Sequence, residues 1–112
     1  MQKREAIWEI EESLWLGGRV AYATHMAPDC LVAFSELGGI GPDEVLDSIH
    51  AVPRWHRVEM QGRMTAGGWL TLVLCYRAHA EREGERYCAL CTSTYRWESG
   101  AWKLIQHQQS PC

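Results

Sequence analysis

The stretch WLTLVLCYRAHAEREGERYCALCTSTYRWESGAWKLIQHQQ, residues 69–109, decides how this chain is read. It holds three long apolar-rich runs, Trp69 to Ala80, Arg86 to Trp97 and Trp102 to Gln109, separated by Glu83-Gly84 and Glu98-Ser99-Gly100. Runs rich in β-branched and aromatic residues, with glycine at each break to supply a positive φ, predict strands joined by hairpins. A fourth run, Trp55 to Met64, comes before them across Gly67-Gly68, so the second half of the chain reads as an antiparallel sheet.

Working outward to the N-terminal side, Ile7, Ile10 and Leu14 recur at helical spacing between Arg4 and Leu16, with Trp8 and Trp15 on the same broad stripe. This predicts an amphipathic helix packed on a large apolar surface. Gly17-Gly18 interrupts it, and Val20 to Met26 predicts a second, short helix closed by Pro28. Cys30 to Phe34 predicts a short buried strand and Glu36 to Gly41 a glycine-rich loop. Pro42, followed by Asp43 and Glu44 at the positive dipole end, opens a third helix that is expected to end near Ala51. Helices followed by a run of strands define an α+β domain, expected to be a single unit over residues 1–112 with the helices covering one face of the sheet.

Composition limits the function. The chain has 112 residues, 46% hydrophobic and 22% charged, which suits one globular core. The formal net charge is -3, and the arginines are dispersed among acids, so nucleic acid is not an expected partner. No apolar run approaches the ~20 residues of a membrane helix, and a cytoplasmic location is expected. Three of the five cysteines, Cys75, Cys88 and Cys91, fall in strand-like runs where reduced thiols act as small hydrophobes, so no disulfide framework is expected. Cys88 and Cys91 have zinc-like spacing, but residues three apart on a strand face opposite ways, so neither a metal nor any other cofactor is expected. Six tryptophans are many for so short a chain and point to a pocket or an interface.

Two segments carry a resemblance. Ser93-Thr94-Tyr95-Arg96-Trp97, with Gly100 to Pro111, resembles the final hairpin of SnoaL-like proteins, in particular a bacterial domain-of-unknown-function group within the nuclear transport factor 2-like superfamily. Tyr22 to Met26, with Cys30 to Phe34, is similar to the second helix and first strand of the calcium/calmodulin-dependent protein kinase association domain. The resemblance implies a cystatin-like cone, N-terminal helices over a strongly curved antiparallel sheet, with a pocket at its open end. A homodimer built through the sheet is also implied. It implies no particular reaction, because this fold hosts isomerases, cyclases, dehydratases and pure binding or assembly domains.

Strand alternation sets Ile105, His107 and Gln109 on one face of the last strand and Trp102, Leu104, Gln106 and Gln108 on the other. The association-domain resemblance aligns pocket arginines with Arg77, Ser93 and Gln109, which assigns those three to the concave face. Cys75, Cys91 and Tyr95 are expected to join them, with Tyr22 and Met26 approaching from the second helix and Trp55 completing the wall. Arg77 inside a cone needs a partner, and Glu11, central on the first helix's apolar stripe, is a candidate; an outward-leaning Arg77 and a ligand-bound one are the alternatives. The sheet is expected to hold no aspartate, and the carboxylates on which catalytic relatives rely are not seen. Three readings follow. The first is a homodimeric small-molecule-binding domain with a mostly apolar pocket. The second is an isomerase-, cyclase- or dehydratase-type enzyme on a carbonyl or polyketide-like substrate, with His107 as base and Arg77 stabilising an oxyanion. The third is an assembly domain with a filled cone and Trp97 and Trp102 as exposed anchors.

Overall fold

A computed structural model describes residues 5–50 and 52–112; the expected helix start at Arg4 and helix end near Ala51 lie outside the described residues. In chain order the elements are α1 (Glu5–Leu16), α2 (Gly18–His25), β1 (Met26–Phe34), β2 (Gly38–Ile40), α3 (Pro42–His50), β3 (Arg57–Gly67), β4 (Thr71–Arg82), β5 (Glu85–Glu98) and β6 (Ala101–Pro111). The strands form one curved six-stranded sheet in the order β2-β1-β6-β5-β4-β3, with the three helices packed on it. The sheet is mixed, because β1 runs parallel to β6 while every other neighbouring pair is antiparallel.

α1 buries Ile7, Glu11, Leu14 and Trp15 on one stripe. Gly18, the first residue of α2, takes φ 62, and a Cβ at that position would lie 2.9 Å from Cγ of Arg54, so the site needs glycine for both backbone and space. β1 begins at Met26, earlier than expected, and includes Pro28 and Asp29. Pro28 is tolerated because the β1–β6 ladder is irregular between Met26 and Leu31, so its missing N–H costs no ladder bond. Asp29 corrects the expectation of a sheet without aspartate, although it is exposed and pairs with Arg96 at 2.9 Å. The glycine-rich loop contains β2, which pairs briefly with the end of β1.

Two register features decide which side chains point inward. The two-residue turn at Glu83-Gly84 sets Tyr76 opposite Cys91, Leu74 opposite Ser93 and Leu72 opposite Tyr95. Directly opposed residues share a face, so β4 turns Leu72, Leu74, Tyr76, Ala78 and Ala80 into the core. Arg77 and Cys75 therefore point to the outer face, opposite Leu90 and Thr92, which overturns their placement in the cone. The second feature is a bulge in the β5–β6 pairing between Thr94 and Tyr95, where the partner on β6 jumps from Gln106 to Leu104. The extra residue flips the alternation, so Leu104 and Trp102 face inward together with His107, not away from it. Trp102 is 3% exposed and meets Trp97 edge-on at 5.2 Å, so it is a core residue rather than an interface anchor.

The core has two adjoining parts. One gathers Ile7, Leu14, Val32, Leu72, Leu74, Tyr95 and Leu104 under α1 and α2; the other gathers Trp15, Met60, Tyr76, Ala78, Ala89 and Cys91 toward β3. Cys88 is disulfide-bonded to Cys112, against the expectation of a reduced thiol, while Cys30, Cys75 and Cys91 are free. The β5–β6 register brings Ala89 opposite Pro111 and so carries Cys112 to Cys88, a proximity that spacing along the chain does not reveal. No described helix is long and apolar enough to cross a membrane.

Candidate functional site

Glu11 is the centre of the interior. Its position on the buried stripe of α1 aims the carboxylate at the concave face of β4, β5 and β6, where it is fully buried. Oε1 accepts a hydrogen bond from the Tyr95 hydroxyl at 2.6 Å, and Oε2 accepts from Ser93 Oγ at 2.6 Å and from the Tyr76 hydroxyl. Nδ1 of His107 lies 3.5 Å from Oε2 and 2.7 Å from Ser93 Oγ. Trp15 Nε1 donates to the Tyr76 hydroxyl at 2.9 Å, tying a second position on α1 into the same cluster. Burial by itself would raise the Glu11 carboxyl, but His107, Ser93 and Tyr76 together hold it below its ordinary value. Burial and the adjacent Glu11 charge push the Tyr76 and Tyr95 phenols up, so both remain donors. The Cys91 thiol beside them is pushed up to about 12, chiefly by burial, and is no thiolate nucleophile.

The proton count in this cluster is restrictive. Because Ser93 donates to Glu11, Nδ1 of His107 supplies the proton shared with Ser93. Its other nitrogen, Nε2, faces Oε1 of Gln109 at 2.8 Å. Gln109 also donates to the Tyr87 hydroxyl at 3.2 Å, so it stands between the buried cluster and the space beyond it.

That space is a cavity of about 320 Å³ bounded by α1, α2, α3, the turn after β1 and the ends of β5 and β6. Leu14, Trp15, Tyr22, Phe34, Ile49 and Val52 give it apolar walls, and Trp55, Tyr87 and Gln109 close one side. Trp55 stacks on Tyr87 with centroids 5.6 Å apart, and the Arg82 guanidinium lies 4.0 Å from the centroid of the Trp55 ring. Arg82 also donates to the Pro53 carbonyl at 2.5 Å and pairs with Glu85, fixing the segment that carries Trp55.

Of the ten residues expected at the site, Tyr22, Trp55 and Gln109 line this cavity. Cys91, Ser93, Tyr95 and His107 are buried behind it around Glu11. Met26 packs against the core at the α2–β1 junction, and Cys75 and Arg77 lie on the outer face. Arg77 donates to Cys112 Sγ at 3.2 Å on the outer face, the outward-leaning alternative, and Glu11 has Nδ1 of His107 as its neighbour at 3.5 Å instead. The interior carboxylate is Glu11, from the helix whose stripe made it a candidate, and not a residue of the sheet. Tyr76, Trp15 and Tyr87 were missed; the two-residue turn at Glu83-Gly84 was the available signal for Tyr76, because it fixes the face opposite Cys91. Among the described residues no group of three or more side chains is placed to hold a metal ion.

No family model and no curated protein matches the chain. Solved structures do, across nearly its whole length. A nuclear transport factor 2-like protein from Cytophaga hutchinsonii is 11% identical with a TM-score of 0.85, covering 100% of both chains. A protein of Exiguobacterium sibiricum assigned as a calcium/calmodulin-dependent kinase II association domain is 14% identical with a TM-score of 0.80, covering 100% of this chain and 97% of that one. A hexachlorocyclohexane dehydrochlorinase of Novosphingobium barchaimii is 20% identical with a TM-score of 0.71, covering 96% of this chain and 85% of that one. The fold is nuclear transport factor 2-like, also described as cystatin-like. Such a fold serves ligand-binding and enzymatic domains alike.

Proposed function

We propose that this chain is a small-molecule-binding domain whose ligand sits in the 320 Å³ cavity, with its apolar body against Leu14, Phe34, Ile49 and Trp55 and a polar group toward Gln109 and the Tyr87 hydroxyl. The observation that carries this reading is the cavity itself: a preformed apolar space with a few convergent polar atoms at one side is the ordinary form of a small-ligand site. Its size admits a compact ring system. Isothermal titration with a small aromatic ligand tests it, using the native chain and Ile49→Trp, which fills the cavity from α3. Binding to the native chain and loss in the variant, with the unfolding midpoint retained, are expected; equal binding by both sinks the reading.

One observation favours an enzymatic second reading. His107 is backed by a buried carboxylate and separated from the cavity by a single amide, as a general base oriented by a partner would be. Arg77 cannot stabilise an oxyanion in this cavity, since that residue faces outward. If Gln109→Ala and His107→Asn change no turnover of any carbonyl ligand that binds, His107 is structural only. Homodimerisation is part of the proposal, through the outer face, where Thr92, Thr94, Gln106 and Gln108 form a hydrogen-bonded polar ladder. A concentration-independent monomer mass in light scattering would remove it.

A further inference from the structure

We infer that the ligand of this cavity carries a carboxylate or similar anionic group, bound at the cavity mouth by Arg54 with help from Arg19, His50 and His56. The inference rests on the binding reading above and narrows its ligand class. Arg54 lines the apolar cavity and also a second, more open recess next to it, so its side chain stands at the boundary between the two. Its place there is built in. The Cγ and Cδ atoms of Arg54 lie 2.9 and 3.0 Å from where a Cβ of Gly18 would be, so the stem rests directly on the bare glycine that opens α2. The stem is thereby held at the turn, and only the guanidinium is left to reach a partner.

Charge around the recess is one-sided. Among the described residues Arg19, His50, Arg54 and His56 line it and no acidic residue does, in a chain whose formal net charge is -3. Among the described residues neither Arg19 nor Arg54 forms an ion pair, although Arg57, Arg82, Arg86 and Arg96 all do. Arg82 approaches the same segment but is committed to Glu85, Pro53 and Trp55. Among the described residues the one acid at the apolar cavity is Glu36, from the turn after β1. It disfavours an anionic group placed toward that rim and so biases the charge to the Arg54 side. An apolar body in the aromatic cavity with its anionic head on a planar guanidinium satisfies both halves of the site. Arginine offers the two parallel N–H donors that a carboxylate accepts.

The test compares 4-phenylbutyrate with 4-phenylbutyramide, which has the same body and no charge, by isothermal titration on the native chain, on Arg54→Gln and on Gly18→Ala. A charge-assisted pair at a half-open site favours the acid by roughly 10-fold over the amide. That preference is expected to shrink with added salt, to vanish in Arg54→Gln while amide binding persists, and to fall in Gly18→Ala, which dislodges the stem without altering charge. Equal affinity for acid and amide in the native chain overturns the anionic assignment and leaves the cavity reading standing. A preference that survives Arg54→Gln also overturns it. Failure of both ligands to bind the native chain removes the cavity reading and this inference together.

Discussion

Replacing Glu11 with glutamine tests whether the buried cluster is organised by a charge. Of the three hydroxyl donors, Ser93 and Tyr76 meet Oε2 and Tyr95 meets Oε1. A glutamine oxygen in the Oε2 position keeps two of them but sets its NH2 group against the Tyr95 hydroxyl, a donor facing a donor. Two bonds lose their ionic character, at about 1 kcal/mol each, and one buried hydroxyl proton loses its acceptor, at about 1–3 kcal/mol. His107 also loses its carboxylate neighbour. The amide is cheaper to bury than a carboxylate, which offsets part of this, so a net loss of about 3 kcal/mol is expected, within the range for breaking a buried pair from one side. For a domain near 100 residues that lowers Tm by about 12 °C. Urea unfolding at neutral pH measures it, and a pH series supplies the sign. The folded Glu11 pKa is depressed, so its contribution is complete above the unfolded value of about 4.3 and is lost as pH falls through the folded value. The gap between native and variant should therefore be full at neutral pH and close in acid. Equal stability at neutral pH, or a gap that stays constant on acidification, refutes the argument.

Other perturbations have equally specific outcomes. Trp15→Phe removes the indole donor to Tyr76 but leaves that hydroxyl bonded to Glu11, so a loss of about 1 kcal/mol in denaturant unfolding is expected. Gly67→Ala places a Cβ 2.1 Å from the Thr71 carbonyl oxygen at φ 125, and the β3–β4 hairpin should lose about 2 kcal/mol or more, read as a fall in Tm. Reducing the Cys88–Cys112 disulfide, whose sequence separation is 24, frees a loop worth about 3 kcal/mol of unfolded-state entropy. Unfolding with and without reductant reads the difference, and Cys88→Ala should match the reduced chain. Trp55→Ala removes the plane stacked on Tyr87 and should weaken an aromatic cavity ligand about 10-fold, corresponding to about 1.4 kcal/mol.

The order and type of the larger elements were legible because they rest on local chemistry. Glycine at Glu83-Gly84 and Ser99-Gly100, proline at the start of α3 and the helical stripe through Ile7, Leu14 and Trp15 act within a few residues of themselves. Helices before strands then leave few ways to cover a sheet. The inward face of β5 was also correct, since Cys91, Ser93 and Tyr95 share it with His107 and Gln109. What sequence did not determine was the phase between strands. The resemblance points Arg77 inward, but the hairpin turn decides which residue of β4 lies opposite Cys91, and that residue is Tyr76. Trp102 and Leu104 were set outside because one extra residue in β6 shifts the alternation by a single step, and nothing in Lys103-Leu104-Ile105-Gln106 announces a bulge. The parallel β1–β6 pairing, the Cys88–Cys112 bond and the seat of Arg54 on Gly18 join segments distant along the chain, and only the folded arrangement brings them together. Glu11 shows the division most plainly: the helical stripe placed it at the centre of a buried face, and the tertiary structure supplied the three hydroxyls and the histidine that make a carboxylate stable there.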